Sequence, residues 1–479
     1  MKAKPDSKRM TITRKVRLIP VFTDESDTRT EKELINDVYT YLREGMKNQN
    51  LAMNQYISAL YCAMQIDASA DDRKEMNRLY TRISESSKGS AYSTDIQFPV
   101  GLPVTSSLGQ KVKQDFDNAM KKGLKYGRVS LNTYKSDNPL LVHVDYVRLR
   151  SSNPHKDNGL YHKYSCHEEF LDHLYKNDLE VFLKFAHNIT FKVVFGNPHK
   201  SAELRSVFHK IFEEYYLVQG SSIEINNKNQ IILNLSMSIP IDDNKDLDEN
   251  KVVGVDLGIA IPAMCAVNDN SYSRKTIGNV NDFLKVRTKI QRQRQRLQGN
   301  LKISKGGHGR KRKMQAMDRF SEYESNWVKT YNHFLSKNIV DFALKNNAKY
   351  INMEDLSGFG ENDKKKFILR NWSYYQVQQM VEYKAKMHGI EVRYVNPAYT
   401  SQTCSCCGNL EPGQREKQAE FICKNPECEN FGVKVNADFN AARNIAMSTE
   451  FITGENKKEK KRQSKTTRKV GKDGKATAA

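Results

Sequence analysis

The chain has 479 residues, with 77 Lys plus Arg against 56 Asp plus Glu, for a formal charge of +21. That length predicts roughly two to four folding units, and the excess of cations predicts a polyanionic partner held by phosphate contacts. No run approaches the ~20 apolar residues of a membrane span, no apolar leader opens the chain, and eight cysteines are sparse for a disulfide scaffold, so a cytoplasmic protein is expected.

In chain order, residues 9–22 alternate as a strand does. Residues 31–66 turn helical, with Leu34, Val38, Tyr41 and Leu42 at helix spacing and Leu51, Tyr56, Leu60 and Met64 continuing it. A basic helix over 110–125 closes this lobe. Strand-rich sequence resumes at 140–144 and 189–195, then at 222–225 and 231–235, which bracket Asn226-Asn227-Lys228-Asn229 as a hairpin turn. A helical lobe therefore interrupts a mixed β domain. His155, His162, Cys166, His167 and His173 lie near one another in sequence. Their spacing fits no zinc module, and they are expected to be exposed and without metal. Residues 241–250, rich in Asp, Asn and Lys, read as a linker.

Beyond the linker, Val252-Val253-Gly254-Val255-Asp256 ends an apolar, β-branched run on a carboxylate. Residues 287–313 carry eleven Lys or Arg and no acidic residue, among them Arg292, Arg294, Arg296, Lys311, Arg312 and Lys313. With Gly306, Gly307 and Gly309 between two helical stretches, this predicts a hinge and a phosphate-tracking surface. The plain alternative is a solvated helix face, but such faces usually mix both signs. A helix over 313–347 places Phe320, Trp327, Tyr331, Phe334 and Phe342 in a stripe expected to be core. Tyr350-Ile351-Asn352-Met353-Glu354 is a second strand ending on a carboxylate. The glycines and lysines that follow, up to Trp372, suit either a mobile gate or a solvated loop, and Trp372, Tyr374 and Tyr375 suit helix packing better than base stacking.

Cys404 and Cys407 are separated by two residues, the span that lets both sulfurs reach one ion, and Cys423 with Cys428 forms a second, wider pair. Four thiolates predict one structural Zn²⁺ closed to water. The wider pair is expected to grip less firmly, and Cys406 competes for the role of Cys407. Asp438 then opens a helix within Asn436-Ala437-Asp438-Phe439-Asn440-Ala441-Ala442. Singly, an Asp after a strand is more often a turn or cap residue. Together, Asp256, Glu354 and Asp438 fit the hard oxygen ligands of two Mg²⁺ ions roughly 3.5–4 Å apart, which neutralise the attacking and leaving oxygens of a phosphodiester. The tail after Gly454 has 10 basic and 3 acidic residues and should be disordered; without its +7 the rest of the chain still carries +14 (21 − 7).

The order Gly-Val-Asp-Leu-Gly (254–258), Asn-Met-Glu (352–354), cysteine knuckle and Asp-Phe-Asn-Ala-Ala-Arg-Asn-Ile (438–445) resembles the split RuvC domain of compact RNA-guided nucleases. It is most similar to the miniature type V-F CRISPR effector family, related to transposon-encoded TnpB nucleases. Residues 282–288, 369–375 and 400–404 add to the likeness. The resemblance implies an α/β and β mixed multidomain fold: an RNase H-like RuvC domain at 251–400 and 435–453, with a zinc-ribbon-like, target-nucleic-acid-binding insert at 401–434. It further implies an oligonucleotide-binding-like wedge domain at 1–30 and 131–245, a helical recognition lobe at 31–130 and the basic tail at 454–479.

By the same resemblance, Arg415 matches an Arg that assists at the scissile phosphate. A guide RNA reads target double-stranded DNA by pairing, the protein reads a short flanking motif, and one Mg²⁺-dependent RuvC site cuts both strands in antiviral defence. The family implies an asymmetric homodimer on one guide. Open alternatives are a transposon-encoded RNA-guided nuclease, a non-cleaving nucleic-acid-binding protein, and a resolvase that cuts branched DNA without RNA.

Overall fold

Alternation of side chains makes the first strand. In β1 (Arg9–Val21), Val16 and Leu18 are buried while their neighbours face outward. The structure, a computed structural model, describes residues 8–22, 28–65, 107–121, 134–135, 137–151, 159–185, 189–197, 202–241, 246–258, 261–303, 307–355, 374–397 and 399–452. The chain divides into two units at Pro240/Ile241 and is mixed α/β and multidomain.

In the first unit β1 is followed by α1 (Glu31–Gln65), α2 (Ser107–Lys121), β2 (Leu140–Val142), β3 (Arg150–Ser151), β4 (Gly159–His162), α3 (His167–Lys176), β5 (Val181–Lys184), β6 (Thr190–Val194), α4 (Ala202–Phe212), β7 (Leu217–Val218), β8 (Ser221–Ile225) and β9 (Ile231–Pro240). Among the described residues the strands form one nine-stranded sheet in the order β2-β8-β9-β1-β6-β5-β4-β3, with β7 against β9. The turn between β8 and β9 is set by Asn226, whose side-chain oxygen accepts the N–H groups of Lys228 and Gln230, and by Asn229 at φ 56°.

A capping box starts α1. The Glu33 carboxylate accepts from the Thr30 backbone N–H at 2.9 Å while Thr30 Oγ1 accepts from the Glu33 N–H. The helix is then tied to β2 and the chain before it, where Asn54 both donates to the Tyr134 carbonyl and accepts from its N–H, and Gln49 donates to the Pro139 carbonyl and accepts from the Leu141 N–H.

One histidine expected to be exposed is enclosed instead. His162 is 3% exposed, packed among Tyr164, Phe170 and Phe212 rather than standing in solvent, because the Phe170–Phe212 stack at 4.0 Å closes an aromatic cluster over it. His155 lies outside the described residues.

In the second unit the order is β10 (Asp248–Asp256), β11 (Ala263–Val267), β12 (Arg274–Ile277), α5 (Val280–Ile303), α6 (Gly307–Lys345), β13 (Ala348–Glu354), α7 (Tyr374–Met387), β14 (Glu391–Val395), β15 (Glu420–Ile422), β16 (Lys434–Asn436) and α8 (Ala437–Met447). The five-stranded sheet runs β12-β11-β10-β13-β14. β11 lies antiparallel to both β10 and β12, whereas β10, β13 and β14 are mutually parallel. β10 begins inside the expected linker. Gly307 and Gly309 lie in the first turn of α6, and Gly306 lies outside the described residues. Of the aromatic stripe on α6, Tyr331 and Phe342 are core, while Phe334 is about half exposed. The gate region between residues 356 and 373, including Trp372, and the tail from residue 453 lie outside the described residues.

The two-residue period of the strands decides which side chains meet which helices. Val253, Val255, Ile351 and Met353 face a core built with Leu335 and Ile339 of α6 and Val377 and Val381 of α7. Gly254, Asp256, Asn352 and Glu354 fall on the opposite face, which α8 covers with Ala441, Ala442 and Ala446. A Cβ on Gly254 would overlap the Ala442 carbonyl oxygen and the Ala446 nitrogen, both rigid backbone. Gly254→Ala is accordingly expected to destabilise the protein by about 3 kcal/mol, with soluble yield falling, in a urea unfolding series against the parent chain.

Candidate active site

Asp256 and Glu354 are the last residues of two adjacent parallel strands, and Val255 pairs with Met353 in register. Both carboxylates therefore emerge at the same sheet edge and on the same face. α8 runs across that face, and Asp438 is its second residue, behind an Asn436 cap whose side chain accepts the Phe439 N–H at 2.9 Å. The fold thus brings together three side chains that are far apart in sequence.

Their charges act on one another. Burial first, then the nearby Glu354 and Asp438 carboxylates, push Asp256 up to about 8, against a smaller downward pull from Arg415. Burial also raises Glu354, against the hydrogen bond from Thr400, and Asp438, against Arg415 at 3.9 Å. The Tyr374 hydroxyl is raised to about 12 by burial and by the Asp256 charge, which sets α7 beside the site. A half-buried group of hard oxygen donors with so little cationic compensation has the chemistry that a divalent cation completes.

Three residues that pattern reasoning did not single out hold this arrangement. Thr400 Oγ1 donates to Glu354 Oε1 at 2.5 Å, and Gln378 Nε2 donates to the Glu354 carbonyl at 2.6 Å. Asn444 Nδ2 binds the carbonyls of Thr400 and Thr403 at 2.7 and 2.6 Å. Each is a neutral polar residue whose partner is more than twenty positions away, so spacing carried no signal. Asn352, quoted as part of the second acidic motif, is buried and caps the carbonyls of Ile445 and Ala446 at the end of α8.

The four cysteines Cys404, Cys407, Cys423 and Cys428 converge, with all sulfurs within 4.8 Å of one another. The Cys404–Cys428 and Cys407–Cys423 distances are 3.8 and 3.6 Å. Sulfurs about 2.3 Å from one tetrahedral ion stand about 3.8 Å apart, so these spacings fit an ion and are far too long for disulfides. Cys406 is exposed and outside the cluster, which selects Cys407. The wider second gap does not spoil convergence, because Asn425 turns it, accepting the Glu427 N–H on its side chain and the Cys428 N–H on its carbonyl. Asn440 then fastens the first knuckle to α8, donating to the Thr403 carbonyl and accepting the Ser405 N–H.

The basic stretch is less uniform than its composition. Arg292, Arg296 and Arg312 are exposed, but Arg294 shares Glu324 with buried Arg287, at 2.9 and 3.1 Å. Lys313 donates to the Asn300 carbonyl, and the Lys311 side chain lies outside what is described. No helix among the described residues is long and apolar enough to cross a membrane.

The chain is similar to several known proteins. The family described as Cas12f1-like, TNB domain, matches residues 374–445. The chain is 31% identical over 347 residues to the CRISPR-associated endodeoxyribonuclease Cas12f1 of Sulfoacidibacillus thermotolerans, covering 72% of this chain and 76% of the relative. It is 42% identical over 106 residues to a TnpB-like protein of Methanocaldococcus jannaschii, 21% of this chain and 38% of that one. Its fold is similar to the protein of a Cas12f1-sgRNA-target DNA complex solved by cryo-electron microscopy, with TM-score 0.63, 19% identity, and coverage of 93% of this chain and 100% of that one.

The raised Asp256 carboxyl has a consequence for stability. Between the usual value of 3.8 and about 8 the folded chain keeps a proton that the unfolded chain releases, so this residue costs stability progressively as pH rises through that window. In metal-free buffer, Asp256→Asn should therefore melt higher than the parent, by a margin that widens from about pH 5 to about pH 8 and then levels off. Scanning fluorimetry with a chelator present checks this, and added divalent cation should narrow the margin by stabilising the parent alone.

Proposed function

The chain belongs to the Cas12f1 family of miniature type V-F CRISPR effectors, related to TnpB, and from that premise we propose that it is an RNA-guided DNA endonuclease. The reading rests on one observation above all: Asp256 and Glu354 end adjacent parallel strands on one face of the sheet, and Asp438 on α8 stands beside them, so that both neighbours raise Asp256. We assign them to hold two Mg²⁺ ions, which when bound neutralise the attacking and leaving oxygens of the phosphodiester. Arg415 lies against Asp438 and is assigned to the non-bridging oxygens of the scissile phosphate. The order of the sheet, three antiparallel strands followed by two parallel ones, supports an RNase H-like RuvC domain.

The cysteine cluster is assigned one structural Zn²⁺, whose four thiolate ligands leave no open position for chemistry. Under this reading the first unit supplies the wedge domain and recognition lobe, within the boundaries given above. A guide RNA and target double-stranded DNA are the partners, a short flanking motif licenses unwinding, and one site cuts the two strands in turn. Arg292, Arg296 and Arg312 are the cations best placed to meet phosphates, with Arg294, Lys311 and Lys313 beside them. An asymmetric homodimer on one guide, a cytoplasmic location and a role in antiviral defence complete the proposal.

Expression beside its native neighbouring DNA, followed by sequencing of the co-purified RNA, tests the partner. A repeat-and-spacer RNA is the expected result. A transposon-end RNA would select the TnpB-like alternative, and protein without specific RNA would overturn guidance. With a programmed guide, Asp256→Ala should retain RNA and target binding and lose at least about a hundredfold in cleavage rate. Native mass spectrometry should find one zinc per chain, absent from Cys407→Ser, whose melting temperature should also fall.

A further inference from the structure

Glu354 is the one acidic-site carboxylate with a hydroxyl donor on its side chain among the described contacts. Thr400 Oγ1 meets Oε1 at 2.5 Å, in a half-buried setting. Thr400 does not hang freely. Its carbonyl is bound by Asn444 at 2.7 Å, and the turn that carries it is closed by the N–H groups of Gln402 and Thr403 on the Tyr399 carbonyl, with Tyr399 at φ 63°. The backbone of Glu354 is fixed independently by Gln378. Both ends of the hydrogen bond are thus anchored, which is what orienting a carboxylate requires.

We infer that Thr400 is a positioning residue: its hydroxyl holds the Glu354 carboxylate in the rotation that presents it to a divalent cation, and Asn444 on α8 sets where that hydroxyl stands. A carboxylate has roughly four acceptor directions on its two oxygens. One donor on Oε1 removes the freedom to spin while leaving acceptor capacity for a cation. The same helix carries Asp438 and, through Asn444, the Thr403 carbonyl next to Cys404. One rigid element therefore places two of the three carboxylates, one directly and one through Thr400.

The inference rests on the assignment of the acidic residues to divalent cations. A competing local role exists, because Thr400 Oγ1 is also 3.3 Å from the Pro397 carbonyl and could merely stiffen its turn. The two roles differ in what they move. A turn-stiffening hydroxyl changes melting temperature alone, whereas a positioning hydroxyl changes metal dependence.

The test compares Thr400→Val, Thr400→Ala and Thr400→Ser with the parent, each as the full chain loaded with guide RNA. The Mg²⁺ concentration for half-maximal cleavage should rise about tenfold or more in Val and Ala and stay near parental in Ser, with target-DNA binding unchanged. Calorimetric titration of RNA-free full chain with Mn²⁺ should show the same order of affinities. Ala serves where Val fails to fold, as judged by zinc content and melting. Parental Mg²⁺ midpoints and Mn²⁺ affinities in a folded Val or Ala variant would overturn the inference. Asp256→Ala, run alongside, separates the two levels: parental cutting and Mn²⁺ binding there would overturn the acidic-site assignment itself, whatever Thr400 does.

Discussion

The closeness of α8 to β10 is the constraint on which the rest of the second unit depends. A helix normally packs on a sheet about 10 Å away through side chains on both surfaces. Here Gly254 contributes no side chain and α8 contributes alanines, so backbone nearly meets backbone. That approach places the second residue of α8 beside the ends of β10 and β13. With a larger residue at 254 or at Ala442, Asp438 would stand away from Asp256, and the three carboxylates would be ordinary surface acids.

Such proximity has an electrostatic cost that packing must offset. Asp256 is half-buried beside two further carboxylates, and one guanidinium at 3.9 Å from Asp438 is a weak remedy. The cores on the two faces of the sheet supply the stabilisation. Val253, Val255, Ile351 and Met353 are fully buried on the α6 and α7 side, while Phe439 and Ala442 pack with Met264 and Ala266 on the other. Asn352, Asn440 and Asn444 then satisfy carbonyls at the end of α8 and in the 400–403 turn that would otherwise be left unpaired. The carboxylates stay close together because these contacts fix the backbone on every side of them.

Much of this was legible in the sequence, for particular reasons. β10 and β13 announce themselves because β-branched runs end abruptly on Asp256 and Glu354, and period-two alternation puts both carboxylates on one face. Asp438 is legible because Asn436 is a strong cap and alanines follow. The cysteine pairs are legible because thiolates at short spacing have few other uses. What stayed hidden depends on tertiary partners. Arg294 counts as a free cation in any tally of charge, yet Glu324 on the next helix takes it. His162 sits in a polar stretch but is enclosed by rings from α3 and α4. Thr400 reads as one more threonine in a loop until its hydroxyl is found on Glu354.

The cysteine cluster belongs to the same logic. Asp256 and Asp438 are 182 residues apart (438 − 256), so bringing them together carries a substantial loop-closure entropy that local contacts do not repay. The cysteines close a much shorter loop, and the hairpin of β15 and β16 leads from Cys423 directly into Asn436 and α8. An ion gathered by four sulfurs would thus order the start of α8 and, through Asn440, the turn bearing Thr400 at once. Under the proposed assignment, a cluster with no chemistry of its own would act on the acidic site by shortening the search for it, which is a physical reason for the cysteines and the acidic residues to be threaded through one another in sequence.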